Sequence, residues 1–95
     1  MDKVGISFRS PITPDEVLEK YVKPLRTALQ KSSAGIYANY LRQVDLDAIE
    51  PTEHLLVFEV HDFKTGLRLL RLELEQLGML EGMQFQNLNP SLSGY

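Results

Sequence analysis

The sequence predicts an α+β domain whose elements run β-α-β-β-α-β, on three observations. Lys3 to Ser10 alternates apolar with polar or small residues. Thr13 opens an amphipathic helix with a fully specified start. A second helical stripe, Phe63 to Leu77, lies between two further strand-like runs.

In the first strand Val4, Ile6 and Phe8 point one way and Lys3, Gly5, Ser7 and Arg9 the other, the period-2 pattern of a half-buried strand. The helix after it starts with Thr13 as N-cap, Pro14 at the first helical position and Glu16 three residues past the cap, and Ile12 is placed to staple onto Val17. Val17, Leu18, Tyr21, Val22, Leu25, Ala28 and Leu29 form its apolar stripe. Pro24 lies inside that stripe. It lacks an N–H and its ring crowds the carbonyl four residues back, so one bent helix is expected.

Ser32 to Gly35 ends the helix, and Ile36 to Val44 reads as a second strand with two competing phases. One places Ile36, Ala38, Tyr40 and Val44 inward, with Arg42 as the exception. The other places Tyr37, Asn39, Leu41 and Gln43 inward. The first is expected. Asp45 to Glu53 reads as an acidic loop or short helical turn broken by Pro51. The third strand has Leu56, Phe58 and Val60 on one face and Leu55, Val57, Glu59 and His61 on the other. Asp62 is the expected cap of the second helix, whose core stripe is Phe63, Leu67, Leu70, Leu74 and Leu77. Gly66 allows close packing on the sheet, and Gly78 stands just past the helix end. A last strand with Met83 and Phe85 inward and Gln84 and Gln86 outward precedes a polar tail, 89–95.

Ninety-five residues supply one modest core, so residues 1–95 are expected to form one domain. With no cysteine there is neither a disulfide framework nor a thiolate nucleophile or metal ligand. No segment approaches the ~20 apolar residues of a membrane span, and the N-terminal stretch has no apolar run of signal-peptide length. A cytoplasmic protein without membrane attachment is the expectation. Thirteen acidic against ten basic residues give a net charge of −3. Concentrated positive charge is reduced to the row Lys64, Arg68 and Arg71, so nucleic acid is not an expected partner.

Right-handed crossovers for this order put the first and third strands in the middle of an antiparallel four-stranded sheet, with both helices on one face. That arrangement resembles the ferredoxin-like split βαβ superfold, which hosts many functions and implies none.

The candidate sites follow from strand parity. Glu59 and His61 share a face some 6 to 7 Å apart, where they could act as acid and base, whereas His54 lies on the opposite face from Glu59. Two histidines so separated cannot hold one metal ion, and neither metal nor cofactor is expected. A ligand on the face away from the helices would meet Arg9, Ser7, Asn39, Gln84 and Gln86, and Arg9 could neutralise an anion there. That face has no aromatic platform for stacking bases. Neither a phosphate-binding glycine loop nor a serine-nucleophile elbow is present.

Apolar surplus remains: Leu55 and Val57 outward on the third strand, and Leu69 and Leu72 opposite the core stripe of the second helix, near Met79. The leading expectation is therefore a non-catalytic association module forming a homodimer or binding a small protein partner. The alternative is a small-molecule-binding domain or small enzyme of dimeric α+β barrel type, with its site on the open sheet face.

Overall fold

In the computed structural model, which describes residues 1–43, 52–78 and 82–88, Asp2–Arg9 (β1), Gly35–Gln43 (β2), Glu53–Val60 (β3) and Gln84–Asn87 (β4) form one antiparallel sheet. The strand order is β2-β3-β1-β4. The expected central pair is thus β1 and β3, with Val4 opposite Phe58 and Ile6 opposite Leu56. The acidic loop as far as Pro51, Val44, Met79 and the polar tail lie outside the described residues.

The helical stretch between β1 and β2 has three parts: α1 (Pro14–Val17), a π-helical turn (Leu18–Val22) and α2 (Lys23–Lys31). Its start is the capping box written in the sequence. Thr13 Oγ1 accepts from the Glu16 N–H at 3.2 Å, and the Thr13 N–H donates to Glu16 Oε1 at 3.3 Å. Where a bend was expected, the chain makes a π turn. Lys23 N–H reaches back five residues to the Leu18 carbonyl, directly before Pro24, which has no N–H to give. Tyr21 and Val22, adjacent in sequence, are both buried there.

The second helix, α3 (Phe63–Leu77), is capped by Asp62, whose carboxylate accepts from the Thr65 N–H at 2.9 Å. Asp2 adds a second acceptor, taking the Phe63 N–H at 3.1 Å. Thr65, through its hydroxyl and its backbone N–H, holds the Asp62 carboxyl below its ordinary pKa, with Lys64 assisting. Gly66 packs directly on β3, where an added Cβ would fall 2.5 Å from Val60 Cγ1 and 2.6 Å from Val60 Cβ.

Both helical stretches enclose one core with Val4, Ile6, Phe8, Leu56, Phe58 and Val60 of the central strands, to which they contribute Val17, Leu25, Leu29, Leu70 and Leu74. Three expectations are corrected. Leu77, placed in the core stripe, is 40% exposed, because the stripe drifts off the sheet in the last helical turn. Leu69, expected opposite the core, is half-buried against it. The third concerns β2, which has no single phase. A bulge between Tyr37 and Asn39 resets it, so Tyr37 opposes Phe58 and Tyr40 opposes Leu56, both against the core, while Ile36 is 49% exposed.

Candidate functional site

The sheet face away from the helices can be laid out row by row from the register. One row runs Leu41, Leu55, Ser7, Gln84 and the next Asn39, Val57, Gly5, Gln86. Beyond the first lie Gln43, Glu53 and Arg9, and beyond the second Ile36, Glu59 and Lys3. The two middle rows are uncharged. Each outer row carries one acid beside one base, and Arg9 and Glu53 pair at 3.6 Å.

Half-burial was expected of β1, yet it is covered on both sides. Leu88 folds over Gly5, where a Cβ would fall 2.8 Å from Leu88 Cδ1 and 3.1 Å from Leu55 Cδ1. Ser7 is only 6% exposed and accepts a hydrogen bond from Gln86 Nε2 at 3.0 Å. Around Ser7 lie two shallow hollows. One, about 230 Å³, is lined by Leu41, Leu55, Gln43, Glu53 and Gln86 among others; the second, about 330 Å³, reaches Arg9 and Gln84.

The ligand candidates Arg9, Ser7, Gln84 and Gln86 therefore gather at these hollows. Asn39 stands apart, exposed on β2, its side-chain oxygen accepting from the Tyr40 N–H at 2.8 Å. The acid-base candidates do not join them. Glu59 is half-buried in an outer row, and His61 is exposed one residue beyond β3, its backbone N–H bonded to the Ala34 carbonyl at 2.9 Å. Neither lines either hollow.

Of the four interface candidates, Leu55 is half-buried, Val57 is 8% exposed, Leu69 packs on the core and Leu72 is 50% exposed on α3. Leu41, which the expected phase of β2 put on the outward face but which was not counted in the apolar surplus, is 52% exposed directly opposite Leu55.

The sequence reading missed the role of His54. This ring is fully buried, with Nε2 2.9 Å from the Ser10 carbonyl and Nδ1 2.6 Å from the Tyr40 hydroxyl. A carbonyl only accepts, so Nε2 carries the proton, and in the neutral ring Nδ1 accepts from Tyr40. Phe8 stacks on the imidazole at 5.0 Å and Tyr40 at 5.9 Å. Burial holds the Tyr40 phenol above its ordinary pKa; Arg42 opposes that shift and Tyr37 adds to it. With both nitrogens engaged by the protein, His54 is a structural tie between β3, the edge strand and the turn after β1. Parity with Leu56 and Phe58 was the signal for its burial.

Among the described residues no three or more His, Asp or Glu side chains come together as a metal site, and no helix is long and apolar enough to cross a membrane. No protein-family model matches this chain, and no curated protein matches it significantly.

Proposed function

We propose that the protein works by association, pairing with a second copy of itself through the outer sheet face, on a fold of the ferredoxin-like split βαβ type. The central position of β1 and β3 and the element order support the fold reading. The observation that carries the functional reading is the Leu41–Leu55 pair, apolar and partly exposed at the β2 end of a row with no charge in it.

Charge and area favour a second copy. With a two-fold axis running between β3 and β1 along the strands, Arg9 falls opposite Glu53 of the other copy, and Lys3 opposite its Glu59. No like charges then meet, and the neutral rows lie over each other. Four strands at ~4.8 Å spacing and about eight residues at ~3.3 Å give a face of roughly 500 Å² in projection. Two such faces bury on the order of 1,000 Å², the size at which specific association begins.

Sedimentation or light scattering tests the reading. A dimer is expected at high micromolar concentration, and Leu41→Asp, at an exposed position where folding tolerates charge, should convert it to monomer. Leu72→Asp should not. A wild-type monomer under these conditions rejects the homodimer, and loss of the dimer with Leu72→Asp but not Leu41→Asp moves the interface to α3.

A further inference from the structure

We propose that the hollow beside Ser7 is a binding site for a small uncharged molecule with an apolar ring and one carbonyl or hydroxyl oxygen. Three observations carry this. The Ser7 hydroxyl, in a side chain more than nine-tenths buried, accepts from Gln86 Nε2, yet among the described residues its own proton has no acceptor. A buried donor without an acceptor is costly, and an acceptor oxygen on a ligand relieves it. The walls are apolar at Leu41 and Leu55, which suits a ring.

The third observation is electrostatic. Where the sequence suggested Arg9 as the partner of an anion, Glu53 already stands 3.6 Å from that guanidinium and lines both hollows. The hollow beside Leu41 and Leu55 is itself lined by one carboxylate, Glu53, and one guanidinium, Arg42, so an anion would face the first and a cation the second, and a neutral ligand meets the least opposition. At about 230 Å³ the space is smaller than the ~300–1,000 Å³ of pockets for drug-sized ligands, which limits the ligand to a single ring with one polar substituent.

The hollow is built from one copy and does not rest on the homodimer, but Ser7 and Leu55 lie on the face proposed to pair, so a bound ligand and a second copy compete for it. The test is methyl NMR of the full chain, following Leu41 and Leu55 during titration with benzamide, benzyl alcohol, benzoate and benzylammonium. The two neutral probes are expected to shift both methyl groups and to saturate in the millimolar range, with the charged probes at least fivefold weaker. Ser7→Ala, which keeps the fold because it removes only an oxygen, should weaken benzamide about tenfold, the loss of one well-placed hydrogen bond. No shift from any probe overturns the proposal, as does equal binding of benzoate or unchanged affinity in Ser7→Ala. Diffusion measured on the same sample reports association. A monomer that binds benzamide upholds this site and rejects the homodimer, a dimer that benzamide dissociates upholds both, and a dimer that no probe shifts or dissociates overturns this site alone.

Discussion

Tyr40 and His54 meet across β2 and β3 at 2.6 Å, hydroxyl to Nδ1, the far side of a ring whose other nitrogen is bound to the Ser10 carbonyl. This tie anchors the edge strand just past its bulge, next to Leu41, so the exposed apolar row depends on a buried polar one. Tyr40→Phe leaves Nδ1 without a donor and should cost about 1–2 kcal/mol, and His54→Ala, which also opens a cavity beneath Phe8, about 2–4 kcal/mol. Urea unfolding midpoints check both. Equal midpoints for wild type and His54→Ala would show that the tie contributes nothing.

Gly66 sets two effects of opposite sign against each other. In a helix Ala is favoured over Gly by ~1 kcal/mol. At this position the new Cβ would fall 2.6 Å from Val60 Cβ, an atom fixed to the strand backbone that no rotamer change can move away. Overpacking of this kind costs ~1–3 kcal/mol and should win, so Gly66→Ala is expected to lower the unfolding midpoint. A raised midpoint would mean that α3 stands farther from β3 than described.

Two pH limits follow from the shifted groups. Burial raises the phenols of Tyr21, Tyr37 and Tyr40, so their neutral forms are favoured in the folded state. The stability they contribute is fully present below the ordinary phenol pKa of ~10 and is lost as pH rises through the folded values. Absorbance at the phenolate band should therefore rise later in the folded protein than in urea. Asp62 has the opposite sign, since its folded pKa is lowered. Its contribution is present above the ordinary carboxylate value and lost as pH falls through the folded one, and Asp62→Asn should flatten the acid limb of the stability curve.

Much of this fold was legible because local signals agreed with tertiary structure. The Thr13–Glu16 box, the Asp62 cap, the close approach at Gly66 and the inward set Val4, Ile6, Phe8, Leu56, Phe58 and Val60 each follow from spacing alone. What escaped was set by interactions that no period encodes. The bulge at Ala38 lets Tyr37 and Tyr40 share a face, a spacing of three that no regular strand permits, and so hid the packing of Tyr37 on the core and the exposure of Ile36. Leu88 and Gln86 cover Gly5 and Ser7 from a strand about eighty residues away. His61 falls in the bend after β3, where strand parity no longer applies, so its expected alignment with Glu59 lost its basis.

Intermolecular NOEs in a mixed sample, one half methyl-labelled and the other uniformly deuterated except for its own leucine and valine protons, test the pairing of sheet faces most directly. Leu41 and Leu55 methyl groups are expected to show contacts that cross between copies, while Leu72 shows none. Intermolecular contacts confined to Leu72, or none at all from a sample whose diffusion is that of a monomer, would contradict the account.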